Sequence, residues 1–309
     1  MKSEITRRLF LNQASLSMIG FATTVKPLPR FGDYRPTDDA VLTVRNQLLD
    51  MVNHERIDAG LSILKLDELA CRVAEAHAID MAQGGFLSHW GTDGRKPYHR
   101  YSFAGANDAV EENDGAVDHG APVASDEASG DLISLHSSMF YESPPNDGHR
   151  KTILNESHTH VGFGIATRDT HVRLCELYVA KYVLIDSYRT SGHVGSSFML
   201  SGRILDRLYL LKYIDIFFEP LPVAPDPLWL RQLRSCSLPD ERETLLPKLP
   251  DKTFYEDGSS GSIELLGQKF QVRIALSKKL PGIYTIVVWL QRGGMSNSFP
   301  ATQICVRAE

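Results

Sequence analysis

Apolar residues recur mainly at helical spacing in the first half of the chain and alternate in the last third. In 38–56 the apolar positions are Val41, Val44, Leu48, Leu49 and Val52, which predicts a helix with one buried face, closed by Ala59-Gly60. Leu69, Ala70, Val73, His77 and Met81 predict a second helix. Asp67 is its N-cap, Glu68 sits in the first turn where the helix dipole favours an acid, and Gly84-Gly85 stops it. Leu132, Leu135 and Met139 predict a third, ended by Pro144-Pro145. The period then changes to two. Val161-Gly162-Phe163-Gly164-Ile165 reads as a strand and 172–183 as another, joined by a turn at 167–170. Helices alternating with a small antiparallel sheet make an α+β domain, which we place at 38–190.

Near 192–197 the pattern shifts. Strand-like runs at 198–205, 208–218, 262–266, 270–276, 283–290 and 303–307 predict a β-sandwich of immunoglobulin-like type over 195–309. All eleven histidines lie between His54 and His193. The C-terminal region is therefore expected to pack or bind, and the titrating chemistry to sit in the first domain.

The length of 309 residues allows two domains, and a formal net charge of −5 argues against a nucleic-acid partner. Thr6-Arg7-Arg8-Leu9-Phe10-Leu11 precedes a weakly apolar stretch at 14–25, too short and too rich in Ser, Thr and Gly to be a membrane span. It resembles a twin-arginine export signal, so 1–30 are assigned to a signal and the protein to the periplasm or the exterior. An uncleaved signal is the one anchor expected, because no other window is apolar enough to span a bilayer. Cys71, Cys175, Cys236 and Cys305 match no zinc spacing and read as buried thiols.

Between Arg100 and Arg150 there is no lysine or arginine, while Glu111, Glu112, Asp114, Asp118, Asp131 and Glu142 all lie there. We expect 107–126 to be a flexible acidic loop, and a site built in this stretch to attract cations and repel anions. The chain from Met139 to Leu154 then brings Glu142, a Pro-Pro stop, a tight Asp147-Gly148 turn and His149 in quick succession. That turn can fold the chain back so that Glu142 and His149 share a site. His77, on an apolar stripe, reads as a core histidine, and His158 and His160 as a surface pair entering a strand. No nucleophile elbow and no His-Glu-x-x-His motif is present, and Ser88 should point away from its neighbour His89.

His89 beyond a Gly-ended helix, Glu112-Asn113, Glu142, the run Gly148-His149-Arg150-Lys151-Thr152-Ile153-Leu154-Asn155 and Val161-Gly162-Phe163-Gly164-Ile165-Ala166 occur in that order. Together they resemble the bacterial form of the CAP superfamily (cysteine-rich secretory proteins, antigen 5, pathogenesis-related-1) over about 41–186. The resemblance implies a three-layer α-β-α sandwich and a cleft with two histidines and two glutamates, which fall on His89, Glu112, Glu142 and His149. There are departures. Glu111 stands where a glycine is usual, Phe140 takes the place of a common tryptophan, and Cys175-Glu176 stands where a glutamine is common. The eukaryotic Gly-His-Tyr-Thr-Gln signature is absent, so lipid and sterol binding transfers poorly.

Two imidazoles and two carboxylates suit a divalent cation, zinc rather than calcium. The function this implies is an exported protein whose cleft binds such a cation and an extracellular ligand or envelope component. One alternative is a metal-assisted, peptidase-like hydrolase of a peptide or cell-envelope substrate, with Glu112 or Glu142 as base. Another is a structural or interaction module of the envelope.

Overall fold

The computed structural model describes residues 39–232 and 234–309, so the export signal expected around Arg7-Arg8 lies outside the described residues. The expected first helix is α1 (Asp39–Asp58), burying Val44, Leu48 and Val52. After β1 (Lys65–Leu66), α2 (Glu68–Gly84) begins where Asp67 accepts a hydrogen bond from Ala70 N at 2.7 Å. It ends at Gly85, whose φ of 57° is the left-handed cap conformation. Then come α3 (Pro97–Phe103), β2 (Ala109–Asp118), α4 (Ser125–Phe140), α5 (Gly148–Ile153), β3 (His160–Arg168) and β4 (His171–Ala180). β2 corrects the expected flexible loop at 107–126. It pairs along its whole length with β4, and it was hidden because its inward positions are acids rather than apolar residues.

The sheet order is β1-β3-β4-β2, antiparallel except for β1 with β3. One face, with Val161, Phe163, Val172, Leu174 and Tyr178, packs on α1 and α4. The other, with Ala166, Cys175, Leu177 and Val179, packs on α2 and α3. This is the three-layer arrangement. β2 ends the sheet, so a cleft at its edge can be reached by residues from both helical layers.

The C-terminal part comprises β5 (Val183–Ser187), β6 (Ser191–Gly192), β7 (Ser197–Ile204), β8 (Tyr209–Pro220), α6 (Pro227–Leu230), β9 (Arg242–Leu245), β10 (Glu264–Leu266), β11 (Lys269–Ala275), β12 (Gly282–Arg292), β13 (Ser298–Pro300) and β14 (Ile304–Ala308). Two sheets, β10-β11-β7-β5 and β6-β14-β12-β8-β9 with β13 on β12, share one core that includes Leu200, Val272, Ile274, Ile214, Ile286 and Ile304. β5 and β6 precede residue 195 and still pair into these sheets.

The two parts are packed together. Ile283 and Cys305 join Tyr98 and Tyr101 in the core of the α2–α3 layer. Val110 N donates to Gln303 Oε1, and Cys305 N to Ser102 Oγ, each at 2.8 Å. No helix among the described residues is long and apolar enough to cross a membrane. All four cysteines are free, and Cys236 is only half-buried.

Candidate functional site

Alternation along β2 puts Glu112 and Asp114 on the α2 side and Asn113 on the α4 side. His89 comes in from the α2–α3 connection. Its Nδ1 lies 3.1 Å from Glu112 Oε1 and 2.9 Å from Asp114 Oδ2. Arg100 of α3 donates through Nη2 to Glu112 Oε2 at 2.6 Å and through Nη1 to the carbonyls of His89 and Arg95 at 2.8 and 2.9 Å. His77 is buried, as expected of a core residue, yet it faces the cluster. Its Nε2 lies 2.8 Å from the Ser88 carbonyl, which fixes the proton on that nitrogen, and 3.7 and 3.9 Å from Asp114 and Glu112. Cys175 stands opposite Asp114 in register, with Sγ 3.4 Å from Glu112 Oε2.

Two carboxylates thus face one guanidinium and two imidazoles, those of His89 and His77. Burial opposes charge on His89, but hydrogen bonds and charge from Asp114 and Glu112 outweigh it and raise its pKa to about 11. Burial likewise works against the Asp114 carboxylate, and His77 and His89 overcome it, holding the group well below the usual range. The cluster is a charge-balanced unit. His77, Glu112 and Asp114 each offer an atom within 4.8 Å of the others, a group that could hold a metal ion.

The second pair forms as the turn predicted. Glu142 follows α4 and His149 opens α5. Glu142 Oε1 lies 2.6 Å from His149 Nδ1, and Oε2 accepts from His149 N at 3.0 Å. Asn113 Nδ2 donates to the His149 carbonyl at 3.2 Å and to Glu176 Oε2 at 3.4 Å. Behind it Glu176 Oε1 is 2.7 Å from His136 Nδ1, and His136 Nε2 is 3.1 Å from Glu55 Oε2.

The two pairs meet at one cavity of about 320 Å³, lined by Leu87, Ser88, His89, Asp114, His149, Arg234 and Ser235. Of the four expected residues, His89 and His149 line it directly. Glu112 and Glu142 each hold the Nδ1 of one of these imidazoles. Asp114 joins the site beyond the four expected residues, and the pattern Glu112-x-Asp114 on a strand is the signal for it, two acids on one face. Arg100 and Arg234 also belong to the site, and no local signal in the sequence marks either. His158 is not a surface residue. It is buried, stacks on Tyr178 at 5.3 Å, and hydrogen-bonds the Thr152 carbonyl at 3.0 Å. Burial, followed by the charge of Arg56, lowers its pKa to about 3.

Residues 49–182 match the family described as the cysteine-rich secretory protein family, CAP. This segment is a CAP domain. A 130-residue stretch is 28% identical to the uncharacterized membrane protein YlbC of Bacillus subtilis, covering 40% of this chain and 32% of that protein, so the match spans about a third of the curated relative's length. Among solved structures, an extracellular protein with an SCP domain from Bacillus anthracis aligns at 23% identity and TM-score 0.33, over 45% of this chain and 41% of that one. An outer surface protein from Borrelia burgdorferi aligns at 16% identity and TM-score 0.33, over 43% of this chain and 90% of that one. In the CAP domain, then, the cleft lies at the free edge of β2, and Arg234 and Ser235 reach it from outside the domain.

Proposed function

We propose that this is an exported protein whose CAP cleft binds an extracellular ligand through His89 and His149, and that the same imidazoles accept a divalent cation, zinc in preference to calcium. The observation that carries this reading is the matched pair of imidazoles. Each has its Nδ1 on a carboxylate, and neither Nε2 has a hydrogen-bond partner among the described residues, while both rings line one cavity. A carboxylate on Nδ1 fixes the ring and makes Nε2 a better base and ligand. On this reading His89 and His149 hold the ion and Glu112 and Glu142 orient them. Bound zinc would supply a Lewis acid to a ligand oxygen.

The group formed by His77, Glu112 and Asp114 is a poorer place for the ion. His77 Nε2 is committed to the Ser88 carbonyl, and His89 Nδ1 already sits between the two acids. Binding at His89 Nε2 must also displace a proton, so affinity rises with pH. Ligand binding is favoured over hydrolysis because the two candidate bases are engaged, Glu112 by His89 and Arg100 and Glu142 by His149, and no side chain of the cavity lining among the described residues is an activated nucleophile. Ser88 is buried with its Oγ accepting from Trp90 N, and burial pushes the Cys175 thiol well above its usual range. The Arg7-Arg8 pattern supports export, and we read the C-terminal sheets as a sandwich of immunoglobulin-like type.

The test is calorimetric titration of zinc into the tag-free full chain at about pH 6, 7.5 and 9, beside His89→Ala and His149→Ala. One ion should bind, more tightly at each higher pH, and each variant should lose roughly tenfold or more in affinity. Absence of binding at every pH, or affinity unchanged in both variants, removes the cation from this reading.

A further inference from the structure

Every carboxylate at the cleft has an ion-pair partner among the described residues. Asp114 and Glu112 lie on His89, Glu112 also takes Arg100, and Glu142 takes His149. Arg234 is different. It lies between α6 and β9, outside the CAP domain, and lines the cavity together with Ser235. Its guanidinium sits 4.5 Å over the Trp229 ring and hydrogen-bonds the neutral amide oxygen of Gln232. No carboxylate among the described residues pairs with it.

This stretch is fastened to the CAP domain at several points. Trp229 meets Trp90 edge to face at 5.3 Å, and Trp90 Nε1 donates to the Ser235 carbonyl at 3.3 Å. Lys96 Nζ donates to the Ser237 carbonyl at 2.9 Å. Leu230 is buried among the residues of the α2–α3 layer. Arg234 is therefore held at the cavity by contacts on both sides of it in the chain. Among the described residues, the one charge in the lining without a counter-charge is positive, and a guanidinium presents paired donors matched to two oxygens of one anion.

We propose that the cavity is an oxyanion site: it takes the carboxylate or phosphate end of a compact ligand on Arg234, a residue that the C-terminal region supplies to the CAP cleft. This rests on the reading of the cleft as a ligand site and names the ligand class. It reverses the expectation from the acidic run, because the acids there are spent on His89, Arg100 and His149. A volume of about 320 Å³ suits a small acid or the terminal group of a longer chain.

The experiment titrates inorganic phosphate and, separately, N-acetylalanine into the full chain at about 0.15 M salt, where non-specific pairing is screened. Arg234→Gln and Arg234→Lys are compared with Arg231→Gln, an exposed neighbour outside the cavity lining. At least one probe should bind saturably at one site. Arg234→Gln should weaken it by about tenfold or more, Arg234→Lys by less, and Arg231→Gln should leave it unchanged. The probe that binds identifies the source, a phosphate group or a chain-end carboxylate. The proposal is overturned if neither probe binds, if Arg234→Gln binds as the parent does, or if Arg231→Gln loses as much. Zinc titration of Arg234→Gln separates the two readings: unchanged zinc affinity with lost anion binding supports this one alone, and anion binding without zinc binding leaves this one standing while the cation falls.

Discussion

His136 is fully buried between Glu55 and Glu176, and its hydrogen bonds run on through Glu176 and Asn113 to the backbone of His149. Burial disfavours its charge, but Glu176 and then Glu55 prevail and raise its pKa to about 10. A histidine raised above its unfolded value of about 6.5 stabilises fully below that pH and loses the contribution as pH climbs through the folded pKa. His89, at about 11, has the same sign. The unfolding free energy should therefore fall between about pH 6.5 and 10, by up to roughly 3 kcal/mol per pH unit where both groups differ by a full proton between states. In His136→Gln one proton is gone from that difference, so the slope should halve. Urea denaturation across this pH range measures it, and a parent-like slope in the variant would mean that His136 is not the charged partner of these two acids. Because the same network ends on His149, the variant should also loosen that imidazole.

At the level of elements, the spacing between β3 and α2 sets the site, since α2 carries His77 and leads into His89. Gly162 and Gly164 make that spacing short. A Cβ on Gly164 would lie 2.0 Å from the Ala74 carbonyl carbon, and one on Gly162 2.3 Å from Cys71 N. These neighbours are helix backbone and cannot step aside, so Gly164→Ala should cost about 3 kcal/mol and lower the melting temperature accordingly. A loss below about 0.5 kcal/mol would mean that the layers can separate freely. The alternating run around these glycines was readable in the sequence, as were the apolar stripes of α1, α2 and α4 and the six runs that became β7, β8, β10, β11, β12 and β14. Where β2 escaped, the physical reason is that Val110, Glu112 and Asp114 share a face on which two of the three positions carry charge for the cleft. β9 and β13 are short, and neither is fully buried, so their periodicity is faint. Arg234 could not be read at all. The contact that fixes its neighbour, Trp90 to Ser235, spans 145 positions, and no local pattern encodes it.

For the molecule as a whole, the C-terminal sheets are joined to the CAP domain by an ionic anchor as well as an apolar face. Glu219, in β8, meets Lys96, accepts from Tyr98 OH at 2.7 Å and lies 3.4 Å from His99 Nε2, all three on or beside α3. Burial opposes its ionisation, but hydrogen bonds from His99, Lys96 and Tyr98 bring its pKa down to about 2. A depressed carboxyl stabilises above its unfolded pKa of about 4.3 and loses that contribution as pH falls toward the folded value. Acid should therefore loosen this junction between about pH 4.3 and 2, and Glu219→Gln should do so at neutral pH, at a cost of about 2 kcal/mol. Lys96 holds both Glu219 and the Ser237 carbonyl, so the loosening should pass to 227–238 and to Arg234. Hydrogen exchange in 227–238 is expected to accelerate in Glu219→Gln, and binding of an oxyanion probe to weaken although Arg234 is untouched. Unchanged exchange in that segment would instead assign the anchoring to the Trp90–Trp229 contact and to Leu230, and would leave Glu219 holding only the face between α3 and β8.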